Sequence, residues 1–196
     1  MPERETGAAD VRWTLEDLHD DRASVEETLA AVDEDADAFA EEYRGRIADL
    51  TPAELAEALD QLDTLQDRLG RAYAFAYLHW STDTTDEERG AFLQSVRETY
   101  TRINQKLLFV EVEWADVDDD RAEELLRDEA LDEYQHYLEV EHQQKEHVLS
   151  EPEEKILSEK NITGQQAWTR FFDETMGATR FELDGEELTQ EEILSK

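Results

Sequence analysis

The sequence predicts a mainly α fold: an antiparallel bundle of long helices, followed by a smaller helical subdomain and one short β-hairpin near the C-terminus. Three observations predict it. Apolar residues recur at spacings of three and four from Val25 to Trp114, the period of one helical face. A Ser or Thr followed three residues later by Glu stands ahead of several of these stripes, as in a capping box. The period falls to two at a single place, Arg180 to Leu188, around an Asp-Gly pair, which is the turn chemistry of a hairpin.

The first element is expected over Val11 to Asp20, with Trp13 and Leu15 ahead of Leu18 and Thr14 capping against Asp17. Ser24 with Glu27 then reads as a capping box for an amphipathic helix of about six turns. Its stripe is Val25, Leu29, Val32, Ala36, Phe39, Tyr43 and Ile47. Thr51-Pro52-Ala53-Glu54 places a cap, a proline at the first helical position and a capping-box acid in order. The helix it opens carries Leu55, Leu59, Leu62, Leu65, Leu69 and Tyr73 and runs to about Trp80.

Polar residues from Ser81 to Asp86 interrupt the pattern. A third long helix carries Phe92, Val96, Tyr100, Ile103, Leu107, Val110 and Trp114. Its near-heptad spacing also fits a two-chain coiled coil, but three long helices joined by short loops can bury these stripes within one chain. The intramolecular bundle is the reading taken.

Beyond Asp118 the elements shorten. Helices are expected over Asp119 to Arg127, from about Leu131 to Leu149, from the start signal Ser150-Glu151-Pro152-Glu153, and from Thr163 to Met176 with Gly177 as the terminator. Arg180-Phe181-Glu182-Leu183, the turn Asp184-Gly185 and Glu186-Glu187-Leu188 make the hairpin. Thr189 and Glu192 then form another capping box, and Ile193-Leu194 begin a stripe that closes at Lys196 after less than two turns. So short a helix is not stable by itself, and the sequence is read as a piece of a longer chain. The expected division is a long-helix bundle over 1–116, a smaller helical subdomain over 117–178, and a hairpin with the start of a helix over 179–196.

The chain has 196 residues, 39% of them hydrophobic, which is enough for a substantial core and argues against an acidic disordered chain. It has no cysteine, so a disulfide framework, a thiolate zinc site, an iron–sulfur cluster and a cysteine nucleophile are all excluded. Nineteen basic against 53 acidic residues give a formal charge of −34. That charge repels nucleic acid and anionic membrane surfaces, so neither is expected as a partner. Only five of the basic residues are Lys (106, 145, 155, 160 and 196), and the acids are spread along every segment. This pattern fits adaptation to high salt, where self-repulsion is screened. Met1-Pro2-Glu3-Arg4-Glu5-Thr6 lacks the basic and apolar regions of a signal peptide, and no stretch approaches the ~18 apolar residues of a membrane span. A cytoplasmic protein is expected.

The histidines do not meet metal-ligand spacing. Two Glu-x-x-His patterns, Glu133 to His136 and Glu139 to His142, fall on one predicted helix, six residues apart and so rotated by about 120°; di-iron bundles place such motifs on facing helices. His136 and His147 share a face but lie about 16 Å apart along it. His142-Gln143-Gln144-Lys145-Glu146-His147 has the wrong spacing, and no Glu after its first His, for a zinc-peptidase motif. Serines 24, 81, 95, 150, 158 and 195 lack a nucleophile-elbow context, and the seven glycines form no phosphate loop. The aromatic group Tyr73, Phe75, Tyr77 and Trp80 could line a peptide groove, though core packing is the preferred role. No catalytic, cofactor-binding or metal residue is therefore assigned.

The run from His147 to Met176 carries a resemblance. Leu149 to Leu157, then Thr163-Gly164, Ala167-Trp168 and Phe171-Phe172-Asp173-Glu174, is similar in order and spacing to the N-terminal region of the oligoendopeptidase F family, which is among the thimet-oligopeptidase-like zinc peptidases. The lead-in Trp13-Thr14-Leu15-Glu16-Asp17-Leu18 and the hairpin beginning at Phe181 are weaker likenesses. The resemblance implies a two-lobed, mainly helical enzyme. Its C-terminal lobe would hold His-Glu-x-x-His and a downstream Glu around zinc, and its N-terminal lobe would roof a channel that admits short peptides. None of those catalytic residues maps onto this chain. The expectation is a non-catalytic N-terminal lobe whose partners are its own C-terminal catalytic lobe and short peptide substrates. Zinc would belong to the full-length parent, and the charge and Lys usage suggest a halophilic member.

A reading of another class is a self-contained acidic helical protein, chaperone-like, that binds basic partners. Evenly spread acids count against it, because an interaction device concentrates them. Salt separates the two. For a salt-adapted lobe, helix content and thermal midpoint followed by circular dichroism rise between dilute and molar salt, where the Debye length falls to about 3 Å. A midpoint that falls over that range, with capture of a basic protein in dilute buffer, would favour the binder instead.

Overall fold

The structure, a computed structural model, describes residues 14–195. Val11 and Trp13 of the expected lead-in lie outside them. The rest of that segment is not a helix: residues 16–18 make a single turn in which the Leu15 carbonyl accepts from the N–H groups of Leu18, at 2.8 Å, and His19, at 3.0 Å. Leu15 and Leu18 pack against the core from this turn.

Three long helices follow. α1 is Arg22–Tyr43, α2 is Pro52–Ser81 and α3 is Glu87–Leu107. Ser24 does not cap α1 as expected. Asp21 is the N-cap, its carboxylate accepting the Ser24 N–H at 2.9 Å, and Ser24 takes the third helical position, where its hydroxyl accepts from the Asp21 N–H. A capping acid one turn earlier satisfies the same orphan donors. α2 opens as its sequence predicts: Thr51 accepts from the Glu54 N–H, and the Glu54 carboxylate accepts from the Thr51 N–H at 2.9 Å. The α1 stripe from Val25 to Tyr43 is buried throughout, but Ile47 lies beyond the helix in a 3₁₀ turn, Ile47–Asp49, where it is still 1% exposed.

All three helices pack on one another, so each stripe is covered from two sides. Arg102 and Lys106 on α3 pair with Asp33 on α1, and Lys106 also reaches Asp37. These are partly exposed ties, each worth about 1 kcal/mol or less. The core is apolar, and Trp80, Trp114 and Phe109 are among its largest fully buried side chains.

The expected third helix divides in two. α3 ends at Leu107, and α4, Phe109–Ala115, resumes after Leu108. Both pieces remain in the core, with Phe109, Val110 and Trp114 buried. α5 is Asp119–Leu126, capped by Asp118, whose carboxylate accepts the Asp120 N–H at 3.0 Å. The single helix expected from Leu131 to Leu149 is broken into a 3₁₀ turn, Glu129–Leu131, and α6, Gln135–Gln143. Leu131 and Leu138 are buried on either side of the break, so burying both outweighs the continuity of the helix. The indole N–H of Trp114 donates to the Leu138 carbonyl at 2.8 Å, fully buried, and fixes α6 on α4. One core cluster runs from Val25 to Leu138.

α7, Glu151–Thr163, opens on the Ser150 and Glu153 capping box, and α8 is Gln165–Ala178. The expected terminator Gly177 is inside α8. A Cβ there would stand 2.7 Å from the Thr84 hydroxyl oxygen, so any larger residue would push the Thr84 side chain aside where α8 approaches the α2–α3 loop. β1, Phe181–Leu183, pairs antiparallel with β2, Glu186–Leu188, with Phe181 opposite Leu188. Asp184 and Gly185 have φ of 54° and 84°, the left-handed pair of a type I′ turn. α9, Gln190–Leu194, starts at the Thr189 and Glu192 capping box.

The Gly177 contact has a signed test. Ala is the better helix former by up to about 1 kcal/mol, yet Gly177→Ala lowers the chemical-denaturation midpoint in the natural background and raises it when combined with Thr84→Ala. A Gly177→Ala chain that is stabilised by itself would contradict the close approach.

Candidate functional site

His19, His79 and His142 have aromatic partners. The Phe75 ring lies 6.0 Å from both the His19 and the His79 rings, and burial, before any neighbouring charge, pushes both histidines below their ordinary range. His142 lies in α6, its ring 5.9 Å from that of Trp114, and its Nε2 donates to the Asp119 carboxylate at 3.0 Å. His136 is on the same helix, whereas His147 is beyond its end, so the shared face expected for His136 and His147 is not formed. Glu133 precedes α6, which leaves one of the two Glu-x-x-His patterns off the helix. Among the described residues no group of three or more His, Asp or Glu side chains could hold a metal ion.

The aromatic group on α2 divides between two roles. Phe75 and Trp80 belong to the core, at 6% and 1% exposure. Tyr73 and Tyr77 stack at 6.3 Å, and Tyr73 packs against Tyr100 of α3 at 5.5 Å. Tyr100 lines a cleft of about 660 Å³ between α2, α3, the α3–α4 junction and the segment leading into α6. The Gln66 side-chain amide donates to Asn104 at 2.9 Å on its lining. Tyr134 and Tyr137 stand on one wall, and Asp63 and Glu111 add acid. The cleft meets a second hollow of about 620 Å³ at Asn104 and Leu108, bounded by Glu154, Leu157 and Lys160. Together they form a groove with tyrosine and leucine walls and carboxylates at the edge.

The electrostatics of this groove follow from crowding. Burial pushes the Glu111 carboxyl above its usual range, and Glu141 and then Glu154 push it further. Burial likewise raises Tyr137, with Glu111 and Glu141 adding to it. Tyr134 is raised chiefly by the hydrogen bond its hydroxyl donates to Asp60. These phenols keep their protons, and the groove favours neutral or cationic atoms over anions. Sequence reasoning does not single out Glu111, Tyr134 and Tyr137, because Glu111 is on α4 and the two tyrosines are at the start of α6, joined only by the seating of α6 on α4.

α7 and α8 have a different character. Neither buries a residue, and Trp168, Phe171 and Phe172 are 72%, 61% and 62% exposed, with Ile156 and Leu157 open as well. Trp168 and Phe171 meet edge to face at 6.2 Å, and exposed apolar side chains grouped in this way are what interaction faces present.

The family profile described as Oligopeptidase F matches residues 113–181, from the middle of α4 to β1. The oligopeptidase PepF of Bacillus subtilis is 29% identical over 160 residues, which are 81% of this chain and 24% of that protein. The chain is thus similar, in these residues, to an oligoendopeptidase F N-terminal region. The crystal structure of oligoendopeptidase-F from Enterococcus faecium superposes with a TM-score of 0.70 at 19% identity, covering 86% of this chain and 34% of that one, and at that identity it bears on the fold alone. This chain thus spans about a quarter of the length of the Bacillus relative. The run His147 to Met176, inside the matched residues, falls mainly on α7 and α8, the two helices with the open apolar side chains.

The raised Glu111 carboxyl links to stability with a definite sign. Its folded-state value lies above the unfolded one, so its contribution favours folding below the ordinary carboxylate value of 4.5 and is lost as pH rises through the folded-state value. Glu111→Gln, neutral at every pH, therefore has a higher urea midpoint than the natural chain at neutral pH. The gap closes as pH falls below the ordinary value. A gap that widens on acidification would show that Glu111 is instead stabilised as an anion.

Proposed function

We propose that the chain is the non-catalytic N-terminal lobe of a cytosolic zinc oligopeptidase that hydrolyses short peptides, and that it roofs the substrate channel and restricts substrate size. The observation that carries this reading is the coincidence of the family match at residues 113–181 with helices that leave Trp168, Phe171 and Phe172 uncovered. The proposed partner for that face is the lobe's own C-terminal catalytic lobe. Among the described residues no group of side chains fits zinc, so the ion and its ligands are assigned to the catalytic lobe, where zinc would activate water.

Size restriction needs a stiff wall, because a lobe that deformed would admit folded segments as readily as peptides. The interlocked core supports stiffness: Val25, Val32, Leu69, Ile103, Phe109, Leu125 and Leu131 are each 0% exposed, and such interiors are close-packed and resist compression. Within the lobe we assign the bundle to 1–116, the smaller helical subdomain to 117–178 and the connection to the catalytic lobe to 179–196. No helix of the described residues is long and apolar enough to cross a membrane, in keeping with the proposed cytosolic location. The acidic, Lys-poor composition supports a halophilic source.

The full reading frame is expected to encode His-Glu-x-x-His downstream of this region. The full-length protein cleaves a quenched oligopeptide and loses that activity to a chelator, while residues 1–196 produced alone neither cleave it nor bind zinc tightly. A frame without the motif, or chelator-sensitive cleavage by the purified 196-residue chain, overturns the proposal.

A further inference from the structure

Among the described residues, Arg97 is the one buried charged side chain, at 9% exposure. In a chain of net charge −34 a buried guanidinium would be expected to sit on a carboxylate, and Arg97 has none. Its one hydrogen bond is from Nη2 to the neutral Tyr73 hydroxyl, at a long 3.3 Å, and its carbon lies 5.9 Å from the Tyr73 ring centre. Its Nε–H is buried with no acceptor. Leaving a charged donor unmatched in the interior is costly, so the position calls for an acceptor that the described residues do not supply.

Arg97 lines a pocket of about 300 Å³ between α3 and the α7–α8 pair. Gly90, Gln94 and Arg97 share one face of α3 at spacings of four and three, and Ala167, Arg170 and Glu174 share one face of α8. The two helices run antiparallel: Gly177 lies against Thr84, an Arg170 nitrogen would lie 3.2 Å from a Cβ on Gly90, and Thr163 and Ala167 share the pocket with Arg97. Close contact at the glycines thus gives way to a gap at Arg97. Arg170 also lines that gap, and its Nε donates to Glu174 at 2.7 Å. That pair cancels, so the pocket keeps the uncompensated positive charge of Arg97. The remaining wall includes Ile162, Ala167 and Phe171.

From this geometry we propose that the α3–α8 pocket binds a carboxylate attached to an apolar residue, namely the free C-terminus of a short peptide. Arg97 takes the carboxylate by charge-assisted hydrogen bonds, and Ile162, Ala167 and Phe171 take the terminal side chain. The volume suits about one residue. The choice of a peptide rests on the proposed oligopeptidase role; the preference for an anion rests on Arg97 alone.

The test is a titration of the 196-residue chain with N-acetyl-Ala-Leu and with its C-terminal amide, at fixed ionic strength, followed by the ¹⁵N-labelled arginine Nε–H resonances. The acid shifts the Arg97 resonance saturably, the amide binds at least about tenfold more weakly, and Arg97→Gln removes the difference. If Arg97→Gln fails to fold, as circular dichroism would show, the natural chain still gives the acid-against-amide comparison at the Arg97 resonance itself. Equal binding of acid and amide, no saturable shift, or the same shift with chloride alone overturns the proposal. Such a failure leaves cleavage by the full-length protein unaffected, and a parent without peptidase activity would leave the acid-against-amide difference in place, so the two outcomes are distinguishable.

Discussion

Mutual burial of the α1, α2 and α3 stripes is the interaction on which everything else in the molecule depends. With 53 acids against 19 bases, charge works against compaction, and only apolar area removed from water can offset it. Three stripes facing one axis meet that need, since each helix covers the other two. The later elements are added to this frame. Phe109 and Trp114 extend it along α4, the Trp114 indole ties α6 through Leu138, and the groove exists because α6 is held at that distance from α2 and α3.

The scarce cations are used as fasteners between elements. Arg44, at the end of α1, stacks over the Phe109 ring at 4.6 Å, donates to the Lys106 carbonyl at 3.0 Å and pairs with Glu151 at the start of α7. Arg121 of α5 donates to the carbonyls of Ala48 and Leu50, satisfying backbone acceptors in the α1–α2 connection. Glu113 does the complementary work there, accepting from the Gly45 N–H at 2.7 Å. The connection, with its single 3₁₀ turn, is thereby held by side chains from α4 and α5. In these places charge contributes through directed hydrogen bonds and far less through bulk attraction, which molar salt would screen.

The chain is asymmetric about α6. Up to Leu138 it has a continuous core; beyond it, α7 and α8 are helices by their caps and sequence periodicity while burying no residue. Helices of 13 and 14 residues are marginal alone, and here they are held by the Arg44–Glu151 pair, the Gly177 approach to Thr84 and the contact of Arg170 with Gly90. This part lies within the residues that match the family profile, and its open aromatic side chains are the ones proposed to meet the catalytic lobe.

The amino-acid sequence alone determined the helical class, the three long stripes, the Thr51, Ser150 and Thr189 caps and the Asp184-Gly185 hairpin, because each follows from contacts within a few residues. It misplaced what long-range packing decides. Asp21 displaced Ser24 as a cap, the third helix divided at Leu108, and the expected helix through Leu149 ended at Gln143, where burial of Leu131 and Leu138 set the path. Gly177 read as a terminator since nothing local reveals Thr84 across the α3–α8 seam. Nothing in the sequence marks Arg97, and the fold makes it a buried cation without a carboxylate among the described residues. The groove residues Glu111, Tyr134 and Tyr137 were likewise decided by tertiary structure, for a site assembled from separate helices has no period, spacing or motif along the chain.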